Sequence, residues 1–430
     1  MKIRYLNLSF FLFYLLLLLY CRKSNYADPS SYFFDPDRAY VPKFSDVRVR
    51  EALQFLDIIK GTEVLSGQED TIKPAFQAIP ETTNLSPKLC IGIPTWGQRT
   101  EQYLPQTLAS LVDSLTLAER NSLYITVLIV DEFPQHHPSY NEQWLRLLVD
   151  KVLVYDGSFN RTKTANYSSA DEDTSRGSLL PKLVKQQKSA YDFAHLFDAC
   201  YDSRAPFFAL IEDDVIASRD WYDRATRAAK TLETKYQEGE NDWLYLRLFY
   251  SETFLGWNNE EWPIYLSWAV LGFAVVAAVA AALVVFATRF YTKARPQYLF
   301  RPSNPFGRLY LAVLGLWMPF MVALYFLAGR LSVQPMSPGL QPMPSYGCCS
   351  QGLVFPKRHL RAMSNQLRNP PETTLFPDQI IERWANDQLL SKWALVPSVL
   401  QHIGRMSSST GGGLRKGTWN FRFEAYEDPI

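Results

Sequence analysis

The chain has 430 residues, with 44 basic and 43 acidic side chains and a net charge of +1. That balance excludes a protein built to grip a nucleic-acid backbone, and no nucleic-acid partner is expected. Aromatic residues make up 14 % and Trp alone counts 11, enough rings for a large core with some left for sugar stacking or a membrane interface.

The first element is the apolar run Tyr5–Cys21, YLNLSFFLFYLLLLLYC, followed at once by Arg22 and Lys23. Its length suits one short span, and no small-x-small cleavage site follows it. It therefore reads as an uncleaved anchor behind a cytosolic tail, residues 1–4, rather than as a signal peptide. A short span suits the thin bilayer of the early secretory pathway or Golgi.

Residues 22–263 come next. Leu89–Thr95, LCIGIPT, is an apolar run closed by Pro94 and reads as a buried strand. Pro105–Ala118 has apolar residues at helical spacing. Tyr124–Val130 is a second buried strand ending at Asp131-Glu132, and Val152–Tyr155 is a third. Ser158–Ser178 is polar, reads as an exposed loop, and carries the sequons at Asn160 and Asn166, expected to bear glycan on a luminal side. Leu179–Tyr201 is a long amphipathic helix. Phe207–Ile211 is a fourth strand, with a helix from about Asp220 to Lys235. Continuous apolar strands alternating with helices predict an α/β fold with a parallel sheet, whose ligands bind at the carboxyl ends of the strands. No glycine-rich fingerprint follows the first strand, which argues against a nicotinamide or flavin fold.

Two longer uncharged runs follow. Ile264–Ala287 sets a second span at 264–288, and Leu309–Ala328 sets a third at 309–328. Each can cross ~30 Å of hydrocarbon. The connection, 289–308, holds Arg289, Lys293, Arg295, Arg301 and Arg308 and no acid, which places it in the cytosol and both flanking segments in the lumen. Residues 329–430 hold a strand-like run at Cys348–Phe355, a turn and helix in Leu375–Leu390, and a closing segment, Val396–Ser408. At about 100 residues and poor in strands, this part is expected to complete the first rather than fold alone. Of the Cys residues, 90, 200, 348 and 349 are available for luminal disulfides, with the pairing open.

The chemistry concentrates in Phe207–Ala217, FFALIEDDVIA, where Glu212, Asp213 and Asp214 arrive together at a strand end. Like charges this close repel, and each loses hydration if buried. A helix N-terminus enriched in acids is the bland explanation. A divalent cation, Mn²⁺ or Mg²⁺, is the chemical one, because hard oxygen ligands suit it and it binds substrate phosphates.

This pattern resembles the GT-A nucleotide-sugar glycosyltransferases, whose acidic strand-end motif holds the metal on the sugar-nucleotide diphosphate. Three further stretches resemble the N-acetylglucosaminyltransferase IV family: Lys188–Asp192, KSAYD; Pro377-Asp378 at a helix start; and Gln401–Ser408, QHIGRMSS. The two-span hairpin inside the catalytic domain is more specific. It resembles the post-GPI-attachment GalNAc-transferases of the Golgi, whose GT-A domain is split by tandem spans and which modify the GPI glycan core.

The resemblance implies a three-span Golgi membrane enzyme with a luminal GT-A-like domain. It implies transfer of a hexosamine, GalNAc first, from a UDP-sugar to a mannose of GPI glycolipid or GPI-anchored proteins, beside membrane lipid. The metal would sit on Asp214, helped by Glu212 or Asp213, with His402 as a further ligand or a diphosphate contact. Asp378 is the expected base of an inverting transfer, with Asp387 as runner-up. Pro94, Thr95, Arg99 and Asp131 would border the nucleotide, Arg99 on phosphate and Asp131 on uracil or ribose. Lys188 and Asp192 join the donor side. Trp243, Trp257 and Trp262 are candidates for acceptor stacking or interface anchoring. An N-glycan N-acetylglucosaminyltransferase IV-like enzyme and an inactive adaptor with a transferase fold are the alternatives.

Overall fold

The computed structural model describes residues 3–66, 87–155, 180–291, 305–343, 349–370, 375–404 and 418–425. The chain divides into two units, residues 1–41 with 252–336, and residues 42–251 with 337–430.

The first unit holds three helices long and apolar enough to cross a membrane: Ile3–Ser24, Trp262–Phe286 and Pro305–Ala328. These make the chain a membrane protein. Pro319 has no N–H for the carbonyl of Gly315, and the helix absorbs the gap by widening to a π-turn over Val313–Trp317. Trp317 stacks on Phe10 at 5.0 Å and its Nε1 donates to Asn7 Oδ1 at 3.1 Å. Trp257 packs on Tyr265 and Tyr325 and donates to the Phe326 carbonyl, while Trp262 stands exposed at the start of its helix. The connection between the second and third spans and both sequon asparagines, Asn160 and Asn166, fall outside the described residues.

The second unit is an eight-stranded sheet with helices on both faces. In chain order its strands are β1 Leu89–Thr95, β2 Leu123–Ile129, β3 Lys151–Val154, β4 Phe207–Ile211, β5 Val215–Ala217, β6 Trp243–Arg247, β7 Gly339–Pro342, β8 Gly352–Pro356, β9 Ser391–Val396 and β10 Leu400–His402. The order across the sheet is β3-β2-β1-β4-β8-β6-β9-β7, with β5 and β10 paired separately. The alternation of a buried strand shows directly. Ile91, Ile93, Ala209 and Ile211 pack on one face with Leu104, Leu108 and Trp221. Cys90, Phe208 and Leu210 pack on the other with Phe197, Leu360 and Ile380. A disulfide joins Cys90 to Cys200 across the second face, Cys349 is also disulfide-bonded, and Cys348 lies outside the described residues.

The expectation of a parallel sheet needs correction. β3, β2, β1 and β4 run parallel to one another, but β8 runs antiparallel to both β4 and β6, and β7 runs antiparallel to β9. The sheet is mixed. The parallel half comes from helix-linked strands before the spans. β8 enters after the spans, between β4 and β6, and no βαβ crossover constrains its direction. Trp243 is not free to stack on sugar, since it lies within β6 at 1 % exposure, against Phe207.

Candidate active site

β1 pairs in parallel with β2 on one side and with β4 on the other, so three carboxyl ends lie side by side: Thr95-Trp96, Val130-Asp131 and Glu212–Asp214. In a parallel sheet this is the edge where polar groups meet a ligand. The acidic turn is held from below by Thr107, whose hydroxyl lies 2.8 Å from the Asp213 carbonyl and 2.7 Å from that of Val215. Thr107 sits in the helix Leu104–Val112, which follows β1.

The three acids have different partners. Glu212 Oε1 accepts from Ser350 Oγ at 2.5 Å, just ahead of β8. Asp213 Oδ2 accepts from Thr95 Oγ1 at 2.7 Å, and its Oδ1 lies 3.0 Å from Arg99 Nη1. Asp214 Oδ2 lies 2.9 Å from the same Arg99 nitrogen and 3.3 Å from His402 Nε2. His402 reaches this place because β10 pairs antiparallel with β5, setting His402 opposite Val215, and the Ile403 N–H closes on the Asp214 carbonyl at 2.8 Å. Thr418 Oγ1 lies 3.1 Å from the other ring nitrogen, Nδ1. Gly404 completes the wall: a Cβ there would stand 2.5 Å from Asp214 Oδ2 and 3.0 Å from His402 Nε2.

These surroundings separate the acids electrostatically. Burial pushes the Glu212 carboxyl up to about 7, with the charge of Asp214 adding to it. Burial pushes Asp213 up to about 6 against the pull of Arg99. Burial would raise Asp214 as well, but His402 and Arg99 together hold it well below the usual carboxylate range. Asp214 is therefore the fixed anion of the group.

Among the described residues no three His, Cys, Asp or Glu side chains close into a ligand set. The predicted quartet is brought together only in part: Glu212 turns to Ser350 and Asp213 to Thr95, while Asp214 and His402 face each other. Asp214 Oδ1 is buried without a hydrogen-bond partner, while Asp213 Oδ1 and His402 Nε2 make no hydrogen bond beyond their ion-pair contacts with Arg99 and Asp214. An unspent Asp214 oxygen with His402 beside it, in a space that Gly404 keeps clear, fits a cation held by two protein ligands, with water and phosphate oxygens completing its shell.

Sequence reasoning missed His137. Its Nδ1 accepts from the Ser139 N–H at 3.1 Å, which leaves the hydrogen on Nε2, 3.1 Å from Thr95 Oγ1. Thr95 must then turn its own proton to Asp213, so the imidazole fixes the direction of the whole chain. Gly97 makes room for it, since a Cβ there would stand 2.8 Å from His137 Cα. The only hint in sequence is the pair His136-His137 after Asp131, and nothing local tells the exposed ring from the buried one.

The remaining candidates distribute as follows. Pro94 lies within β1, opposite Leu128. Asp131 is 3 % exposed; its Oδ2 accepts from the Gly97 N–H at 2.8 Å and its Oδ1 has no hydrogen-bond partner. Lys188 donates to the Val130 carbonyl at 2.6 Å and lies 3.7 Å from Asp192, whose carboxyl burial pushes up to about 6. Tyr155 also donates to Asp192. This pair belongs to the β2 edge beside Asp131. Asp378 opens the helix Pro377–Asp387; burial raises its carboxyl, while the backbone N–H groups of Gln379 and Cys349 and the charge of Arg247 restrain the rise. Arg247 donates to the Cys349 carbonyl at 2.6 Å, one residue from the Ser350 that holds Glu212, so Asp378 adjoins the acidic group through that segment. Arg247 also pairs with Glu382, and Lys392 Nζ closes on Glu382 at 3.0 Å, a buried network within the sheet unit. Asp387 ends the helix with its side chain 63 % exposed, 3.9 Å from Arg383.

The acidic turn thus closes the carboxyl end of a buried strand, in an α/β unit whose chain is interrupted by two membrane-length helices. A family model described as GPI-N-acetylgalactosamine transferase PGAP4 matches residues 89–401, and the chain belongs to that family. It is also 23 % identical over 203 residues to alpha-1,3-mannosyl-glycoprotein 4-beta-N-acetylglucosaminyltransferase B of Mus musculus, covering 47 % of this chain and 35 % of the relative. It is 22 % identical over 204 residues to the A enzyme of Xenopus tropicalis, covering 47 % of this chain and 36 % of the relative. The chain thus matches only about a third of the length of these curated relatives.

Proposed function

We propose that this protein is a GT-A-like Golgi enzyme that transfers GalNAc from UDP-GalNAc to a mannose of the GPI glycan core. The observation that carries the reading is Asp214, a fixed anion facing His402 where β1 and β4 end side by side. In this family a metal-dependent transferase needs such a place for the donor diphosphate.

Asp214 and His402 would hold Mn²⁺ or Mg²⁺. Once bound, the cation offsets negative charge on the departing UDP. Thr95, oriented by His137, holds Asp213 in place, and Arg99 is in reach of a phosphate bound over the pair. Asp131 Oδ1 is an unspent buried acceptor and suits the uracil imide N–H or a ribose hydroxyl. The acceptor hydroxyl oxygen attacks the sugar C1 as the C1–O bond to phosphate breaks, and UDP leaves with the electron pair. In an inverting transfer Asp378 takes the hydroxyl proton. Its raised proton affinity and its place at a helix start beside the Cys349-Ser350 segment favour it over solvated Asp387.

Calorimetry with UDP and Mn²⁺, beside a UDP-GalNAc transfer assay, tests these roles by contrast. Asp214→Asn should lose donor affinity and at least about 100-fold in transfer, while folding survives. Asp378→Asn should keep donor affinity and lose ~10²–10⁴ in transfer. Full activity of a folded Asp214→Asn protein would end the metal assignment, and Mn²⁺-dependent donor turnover absent from the wild type would favour an inactive adaptor. The basic connection should be open to protease in sealed vesicles; its protection, with the sheet unit digested instead, would reverse the luminal orientation.

A further inference from the structure

Arg99 stands on the oxygens that the proposed metal needs. One nitrogen, Nη1, lies 3.0 Å from Asp213 Oδ1 and 2.9 Å from Asp214 Oδ2, and that last oxygen is the one His402 faces. A guanidinium there and a divalent cation on the same oxygen would be two cations in contact, and their repulsion in a poorly hydrated site disfavours joint occupancy. The rest of Arg99 is uncommitted. Its Nε is buried without a hydrogen-bond partner, and its side chain is 23 % exposed toward solvent. It rises from the turn between β1 and the helix Leu104–Val112, where Gln102 Nε2 holds the carbonyls of Gly97 and Arg99. The side chain can therefore swing from a fixed backbone and carries an unused donor for a planar two-oxygen acceptor.

We propose that Arg99 is an internal counter-ion that competes with the divalent cation for Asp214 and transfers to the donor diphosphate when nucleotide and metal arrive together. This rests on the reading of Asp214 and His402 as the metal pair. It makes Arg99 a positioning residue that couples the two ligands. Without nucleotide, the guanidinium holds the acids and free metal binds poorly. With nucleotide, the diphosphate offers Arg99 a better partner and the vacated oxygens take the cation, so each ligand raises the affinity for the other.

The test is Mn²⁺ binding to the full-length protein in detergent, followed by the paramagnetic resonance of free Mn²⁺, with and without UDP. Donor-free Arg99→Gln should bind Mn²⁺ at least about tenfold more tightly than wild type, because the competing charge is gone. Arg99→Lys keeps a positive charge on the acids and should keep the weak donor-free affinity. UDP should raise the wild-type Mn²⁺ affinity at least about tenfold more than it raises that of Arg99→Gln. If Arg99→Gln binds donor-free Mn²⁺ no better than wild type while UDP-dependent binding persists, the counter-ion role is wrong and the metal pair stands. The same holds if Arg99→Lys gains affinity as Arg99→Gln does. If wild type binds no Mn²⁺ with or without UDP, the metal reading itself falls. Should Arg99→Gln fail to fold, the wild-type pair of measurements still decides, since equal Mn²⁺ affinity with and without UDP overturns the coupling.

Discussion

Gly404→Ala isolates the geometry of the Asp214–His402 pair from everything else in the fold. The glycine does not lie in the left-handed region, so alanine is allowed by the backbone, and the smaller entropy of the unfolded chain alone would stabilise the protein by ~0.4–1 kcal/mol. The new methyl, however, would stand 2.5 Å from Asp214 Oδ2, 3.0 Å from its Cγ and 3.0 Å from His402 Nε2. Relief to an ordinary contact needs a shift of roughly 1 Å, and the carboxylate cannot yield freely because Arg99 and His402 both close on that oxygen. Overpacking of this kind costs ~1–3 kcal/mol, so the net change in stability should be modest, while a 1 Å displacement at a reacting centre can cost ~10²-fold in rate. The expected result is a folded protein, its melting temperature within a few degrees of wild type, with UDP·Mn²⁺ affinity and transfer both reduced by about 100-fold. Calorimetry, thermal melting and the transfer assay on one preparation read all three. Normal donor affinity in Gly404→Ala would refute the placement of the metal pair at this wall; collapse of the fold would show that Gly404 serves packing instead.

The remaining prediction concerns pH. Glu212, near 7, and Asp213, near 6, take up protons as the solution is acidified from pH 7.5 to 5.5, so Mn²⁺-dependent UDP binding should fall by about tenfold or more across that window. Stability runs the opposite way for these groups. A carboxyl raised in the fold contributes least when ionised, so its contribution is complete below about 4 and is lost as pH rises through the folded value. For Asp213 the shift from 3.8 to about 6 is worth up to about 3 kcal/mol. Buried His137, His195 and His359, whose values burial lowers, act against this, so the comparison is between wild type and Asp213→Asn. The variant should gain on wild type at pH 7.5, and the gap should narrow by about half by pH 5 and close below about 4; a gap that stays constant from pH 7.5 to 5 would show that Asp213 is ionised throughout that window.

What could be read in advance follows the range of the interactions. β1 and β4 are continuous apolar runs, and their bounds and the acids after β4 are local properties of the chain. The mixed sheet was not legible, because the direction of β8 depends on where the chain returns after two spans. β6 was missed although Arg247 inside the apolar run WLYLRLFY marked it: a charge there needs a buried partner, and Glu382 lies far along the chain. At the site, Asp214 was legible from its strand, and His402 only through a resemblance, since its nearness to Asp214 is made by the β5–β10 pairing. Arg99, expected on phosphate, lies on the acids, because buried carboxylates attract a nearby guanidinium.

The position of β8 has a consequence for how the polypeptide is made. Phe207–Ile211 and Trp243–Arg247 are synthesised early, yet the strand that joins them, Gly352–Pro356, is synthesised only after both membrane-length helices of the hairpin. Until it arrives, the edges of Phe207–Ile211 and Trp243–Arg247 that it joins lack their partner strand. Completion of the sheet therefore waits on the synthesis of both membrane-length helices.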